Sequence, residues 1–260
     1  MRREKSAVIY FRRSLIDMVD YRNFRLHKLK TPEYSHLKLL LFWPIYFVAF
    51  MFLERGLPWI AGLFGEEITY YPIWCSFDDL IPFCEWFIIP YYLWFAFLIG
   101  MLLYSMLFEV PVFRKYMWFI IITYSITCVI YAVFPNMQEL RPTAAEIGRD
   151  NILVDVAMFL YDFDTNTNVC PSLHVIGSFA VFFAACHSKR LSRWYWIVPI
   201  GTLTVLISLS TVFLKQHSII DVLAGLVVCI LVYPFVYHWS PHRKKAKKIQ
   251  EQAEKTENLQ

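Results

Sequence analysis

Apolar runs long enough to cross a bilayer recur along this chain, and they limit its fold more than any other feature. A bilayer core is about 30 Å thick, so a helix needs roughly 20 mostly apolar residues to span it. Six runs are expected to do so: Leu37 to Leu53, Pro82 to Phe108 with Pro90 inside, Met117 to Phe134, Pro171 to His187, Trp194 to Phe213, and His217 to Trp239. Trp and Tyr gather at several of their ends, where an interfacial belt would place them. With 58% apolar and 18% aromatic residues, the chain is more apolar than a soluble domain of 260 residues needs. The expected class is an all-α polytopic membrane protein, a bundle of six transmembrane helices over 37–239. A basic segment, 1–36, would precede it and a charged tail, 240–260, would follow it.

Charge placement then orients the bundle. Segment 1–36, the turn with Arg114 and Lys115, the turn with Lys189, Arg190 and Arg193, and the tail share one side if the chain crosses six times. Together they carry 20 Lys and Arg, against four on the other side: Arg55, Arg141, Arg149 and Lys215. The positive-inside rule puts both termini in the cytoplasm. The first 36 residues are too charged for a cleavable signal peptide. The basic and aromatic stretch "YFRRSLIDMVDYRNFRLHKLK" is suited either to the anionic inner leaflet or to a topology signal alone. Short loops and no cleavable signal fit a bacterial cytoplasmic membrane, with the site below facing outside; a eukaryotic endomembrane would give the same pattern.

This topology brings together polar residues that are far apart in the sequence. "ELRPT" at 139–143 follows the third run, "PSLH" at 171–174 opens the fourth, and "KQHSIID" at 215–221 joins the fifth to the sixth. All three fall on the outer face at similar depth. His217 and Asp221 are spaced i, i+4, on one face of a helix. A carboxylate behind a histidine fixes its tautomer and stabilises the imidazolium. His174 lies in the first turn of its helix, where Ser172 is placed to cap and free N–H groups suit a phosphate. Arg141 adds a fixed planar cation. A nucleophile, an acid and an anion cradle are what phosphoryl transfer needs. Taken singly, each element has an ordinary reading: HxxxD arises by chance, Pro-Ser starts many helices, and Arg141 would serve as an interfacial anchor. Titratable groups at the edge of a span are nonetheless costly to bury, and so point to function.

"RP" at 141–142, "PSLH" at 171–174 and "HSIID" at 217–221 resemble, in order and spacing, the three motifs of the type 2 phosphatidic acid phosphatase superfamily. The resemblance covers about 134 to 230 and the six-span plan. It implies a metal-independent membrane enzyme acting on lipid phosphates, with no cofactor. By it, His217 attacks phosphorus and forms a phosphohistidine, Asp221 orients His217, and His174 protonates the leaving group. Arg141, Ser172 and the N–H of Leu173 hold the phosphate. The implied partners are a lipid phosphate and the bilayer, with no nucleic acid.

Three positions depart from that pattern. The family usually has a lysine where this chain has Phe134, an arginine where it has Thr211, and often a glycine at Leu173. Lys215, two residues before His217, is the candidate replacement for a missing cationic ligand. "CPSLHV" and "KQHSIIDVLAG" are also similar to the branch of inositol phosphorylceramide synthases, related in plan to sphingomyelin synthases, which pass a phosphohead group to a lipid hydroxyl. Three readings stay open: a lipid phosphate or diphosphate phosphatase, a lipid phosphotransferase, and a scaffold that binds lipid without turnover. "YDFDTNTN" at 161–168 lacks the glycine and glutamate of a calcium loop and reads as a polar lip beside the site. "NILVDVAMFLYDF" reads as a short amphipathic helix at the outer interface.

Overall fold

The computed structural model describes residues 19 and 21–238. The charged tail and most of the basic N-terminal segment, with their part of the charge asymmetry, lie outside the described residues. What is described is mostly helical. The main helices are α1 (Ser35–Leu63), α2 (Ser76–Leu80), α3 (Ile88–Phe108), α4 (Val110–Val133), α5 (Ala144–Ile147), α6 (Ile152–Phe163), α7 (Leu173–Cys186), α8 (Trp194–Phe213) and α9 (Ile219–Tyr233). Among the described residues, five helices are long and apolar enough to cross a membrane: α1, α3, α4, α8 and α9, with α3 and α9 extended by a turn. Their outer faces expose Ile45, Phe95, Val129, Val205 and Ile230. Apolar side chains in such numbers on the outside of long apolar helices belong in lipid, and the chain is an integral membrane protein.

The fourth expected span is a helix, but a short one. Its 14 residues extend only about 21 Å at the usual rise. It is also the most enclosed of the set. Val175, Ile176, Gly177, Ser178, Ala180, Val181, Ala184 and Ala185 are all buried, and α3, α4, α8 and α9 pack around it. Its small residues let those neighbours approach closely, as at many membrane helix interfaces. Gly225 of α9 meets α7 so closely that a Cβ there would lie 3.1 Å from the Ser172 carbonyl and 3.2 Å from Val175.

The first span differs most from expectation. The sequence reading stops at Leu53 because Glu54 and Arg55 follow; the helix runs on to Leu63, through a π-turn at Phe52–Gly56. Burying Glu54 there is possible because its carboxylate is fully engaged. It accepts from the hydroxyls of Thr165 and Thr167 and, at 2.7 Å, from Asn168 Nδ2. A charge that ends a hydropathy run thus anchors α1 to the 165–168 loop. α6 forms where the amphipathic helix is expected, burying Val154, Ala157 and Leu160 and exposing Ile152, Phe159 and Phe163.

Two polar hubs define the ends of the bundle. At one end the buried Glu109, between α3 and α4, accepts from Tyr104 Oη (2.6 Å), Ser188 Oγ (2.6 Å) and the amide of Lys189 (2.7 Å). This ties the α3–α4 junction to the α7–α8 turn. At the other end Asn136 ties the exit of α4 to the entrance of α7. Its Oδ1 accepts from the amides of Val169 and Cys170, both at 2.8 Å, and its Nδ2 donates to the carbonyls of Phe134 and Cys170. A short parallel pair, β1 (Tyr71–Pro72) with β2 (Asn136–Met137), laces the first long loop into the same rim.

Glu109→Ala would remove the carboxylate that accepts from Tyr104, Lys189 and the buried Ser188 hydroxyl. The expected result is a loss of about 2–3 kcal/mol, read as a lower thermal midpoint in detergent, with Glu109→Gln intermediate.

Candidate active site

The centre of the site follows from one helix start. α9 begins with Ser218 as N-cap and Asp221 at the third helical position. The Ser218 hydroxyl accepts from the Ile220 amide at 3.1 Å, and Asp221 Oδ2 accepts from the Ser218 amide at 2.9 Å. This is a capping box with Asp in place of Glu. The same Oδ2 lies 3.2 Å from His217 Nδ1. The carboxylate that caps the helix therefore also turns the imidazole, leaving His217 Nε2 to face outward. His217 is 7% exposed and Asp221 fully buried. Upstream, α8 closes on Lys215, whose φ of +52° is left-handed, a position usually given to glycine. The Thr211 carbonyl then accepts both the Gln216 and the His217 amides, at 2.8 and 3.0 Å.

His174, in the first turn of α7, faces His217. Their ring centroids are 5.7 Å apart. Tyr91 and Trp94 of α3 flank the His174 ring at 4.5 and 4.3 Å. His174 Nε2 is buried with no partner in the protein. Ser172 is the N-cap residue of α7, but its side chain does not cap: Oγ is buried and unpartnered. The expected cap is thus absent, and the Ser172 amide instead donates to the Asp221 backbone carbonyl at 3.1 Å, joining the starts of α7 and α9. Leu173 is the first helical residue, so its N–H is one of the unpaired donors at a helix start.

Both histidines and Leu173 line a cavity of about 560 Å³ that runs down between α1, α3 and α4, walled mainly by aromatic and aliphatic side chains. Asp164, Thr165, Thr167, Asn168 and Gln216 also contribute to its lining.

The cationic residues lie at the periphery. The guanidinium of Arg141 donates to the carbonyls of Tyr161 (3.2 Å), Asp164 (2.8 Å) and Thr165 (2.8 Å), and to Gln216 Oε1 (2.6 Å). It clamps the 161–165 loop to the residue beside His217, with its buried Nε left unpaired. Lys215 turns away from the cavity and donates to the Asp78 carbonyl at 2.6 Å. Two of the three departures from the family pattern, those at the cationic positions, are occupied by structural contacts. Phe134 stacks on Tyr71 at 4.8 Å, and the Thr211 hydroxyl donates to the Ser208 carbonyl at 2.8 Å.

Sequence reasoning missed Asp78, which sits in α2 and is 1% exposed. Its carboxylate accepts from Ser218 Oγ (2.6 Å), the Ile219 amide (2.8 Å) and the Cys75 amide (2.9 Å). It holds the N-terminus of α9 from the first loop, 140 residues away. An acidic residue near a helix start is favourable, but nothing in "SFDDL" says which helix it serves. Burial alone would raise its carboxyl; the bonds from Ser218, Ile219 and Cys75 outweigh burial and hold it below the usual carboxylate range.

With this geometry in view, the comparison with known families is specific. The model of the PAP2 superfamily matches residues 135–245, the stretch that carries Arg141, the Ser172–His174 helix start and the His217–Asp221 pair. That match implies phosphatase-type chemistry on phosphate esters. No curated protein and no solved structure matches the chain.

A depressed carboxyl contributes stability that is present above its unfolded pKa, about 3.9, and lost as pH falls through the lower folded value. Wild type should therefore lose thermal midpoint on acidification below about pH 4. Asp78→Asn, which must present an amide N–H to one of its donors, should start lower at neutral pH and show a shallower acid limb.

Proposed function

We propose that the protein is an integral-membrane lipid phosphate or diphosphate phosphatase acting through a phosphohistidine on His217. The observation that carries this reading is the His217–Asp221 pair facing His174 across the mouth of an apolar cavity. Only an amphiphile suits such a place, with its phosphate between the rings and its tail below.

The steps follow from the hydrogen bonds. With Nδ1–H donated to Asp221, His217 Nε2 carries the lone pair that attacks phosphorus. Asp221 stabilises the imidazolium that develops. The P–O bond to the lipid breaks as His174 delivers a proton to the departing oxygen. Water, deprotonated by His174 in its new role as base, then cleaves the P–N bond and releases phosphate. The Leu173 N–H, at the positive end of α7, is placed for a non-bridging oxygen. The buried Ser172 hydroxyl and Arg141 Nε, both unpaired, are the next candidates. For Lys215 to contribute it would have to leave the Asp78 carbonyl. No step calls for a metal ion.

In this reading α7 completes six crossings. It is short because the site lies at its end and the bundle shields it from lipid. The charge asymmetry of the sequence supports a site on the non-cytoplasmic side, as in a bacterial cytoplasmic membrane. The apolar approach to both rings also favours a second reading, transfer of the phosphoryl group to a lipid alcohol, since that cavity would admit a lipid hydroxyl as readily as water.

Phosphate release from a panel of lipid phosphates, in detergent with chelator, tests the first reading. His217→Ala should lower the rate by at least about 10³, and Asp221→Asn by about 10²–10⁴. A phospholipid product formed only with added lipid alcohol would establish transfer instead. Release that survives His217→Ala would overturn both readings.

A further inference from the structure

The cavity below the two histidines is not uniformly apolar. Four of the side chains that line it carry a buried polar atom with no partner in the protein: Trp43 Nε1 and Tyr46 Oη from α1, Trp94 Nε1 from α3, and Tyr124 Oη from α4. They come from three helices and gather in one region. The Tyr124 ring lies 5.0 Å from Tyr46 and 5.9 Å from Trp43. Tyr124 Oη and Trp94 Nε1 each lie 2.9 Å from the point where a Cβ on Gly177 would sit. Trp94 and Tyr124 therefore fill the space that a side chain at 177 would need, about one turn of α7 deeper than His174.

Buried donors without acceptors are costly, and four converging in one cavity are rare enough to need a cause. A tail of pure hydrocarbon would leave all four unpaired. A carbonyl or hydroxyl oxygen at that depth could accept from two of them. The distance from the histidine pair to this cluster, about one helical turn, is also the distance from the phosphate ester to the first linkage in a glycerolipid or a sphingoid lipid.

We propose that Trp43, Tyr46, Trp94 and Tyr124 form a polar subsite for the carbonyl or hydroxyl linkage of an acyl-lipid phosphate, and so select such lipids over polyisoprenoid phosphates. The inference rests on the reading above, that a phosphate lies between His174 and His217. Trp94 has two tasks in it: its face flanks His174 while its N–H addresses the linkage, so the headgroup and linkage sites share a wall.

The test is binding to the full chain in nanodiscs, using non-hydrolysable phosphonates of four lipids. One is a diacylglycerol type, one its dialkyl ether counterpart of equal chain length, one a ceramide type and one a polyisoprenoid. The diacyl or the ceramide probe should bind about tenfold more tightly than the ether and polyisoprenoid probes, and whichever of the two leads identifies the source of the oxygen. Tyr124→Phe and Tyr46→Phe, which keep the rings and the packing, should each reduce that preference several-fold. Equal binding of all four probes, a lead for the polyisoprenoid, no measurable binding, or a preference unchanged in both variants would overturn the subsite. Phosphate release runs in parallel: His217-dependent release with no linkage preference would overturn the subsite alone. A linkage preference without release would overturn the phosphatase reading and leave the subsite standing.

Discussion

The carboxylate of Asp221 is the interaction on which the rest depends. One oxygen, Oδ2, accepts from the Ser218 amide and so starts α9, and the same oxygen faces His217 Nδ1 and so sets the imidazole. The helix cannot form its first turn without placing the histidine, because one atom does both. The main chain of Asp221 extends the arrangement by accepting the Ser172 amide, which fixes the start of α7 and with it His174. Two helix starts and two histidines are thus referenced to a single residue that is fully buried. Such a group is expensive to bury unless hydrogen-bonded, so its retention in this environment calls for the partners that surround it.

Around that centre, segments remote in sequence act as braces. Asp78 grips the start of α9 from the first loop, Arg141 grips the 161–165 loop and Gln216, and Glu54 grips the 165–168 loop from within α1. Each is an ionisable group whose neighbours are largely backbone amides, carbonyls or hydroxyls rather than opposite charges. Such bonds carry direction, and direction is what a site at the end of a membrane bundle lacks, since lipid supplies none. The charged residues of this rim serve first to hold loops in place, and Arg141 retains only its buried Nε for other duties.

Much of this was legible in the sequence. Trp194–Phe213 is bounded as read, because a basic turn and a polar turn frame it. The i, i+4 spacing of His217 and Asp221 translates directly into contact, and topology alone brings His174 opposite them. The sequence was silent where a polar residue is paid for by a distant partner. Hydropathy ends the first span at Leu53 because it has no way to know that Thr165, Thr167 and Asn168 will solvate Glu54. Asp78 looks like one more acidic loop residue until α2 lands on α9. Spacing suggests Lys215 as a phosphate ligand, but its left-handed backbone and its bond to the Asp78 carbonyl direct it elsewhere. Ser172 holds the cap position, yet its hydroxyl is turned inward. Local patterns recover periodic helices and near-neighbour pairs; they do not recover which remote carbonyl a cation will find.

His217 Nε2 is the proposed carrier of the phosphoryl group. The direct measurement is to mix the protein with a lipid phosphate, quench within the first turnover in alkali, where phosphohistidine survives, and map the modified peptide by mass spectrometry. The expected result is an alkali-stable, acid-labile phosphoryl group on His217, absent when the lipid is omitted. A phosphoryl group on any other side chain, or full turnover with none on His217 under conditions that preserve it, would rule out His217 as the nucleophile.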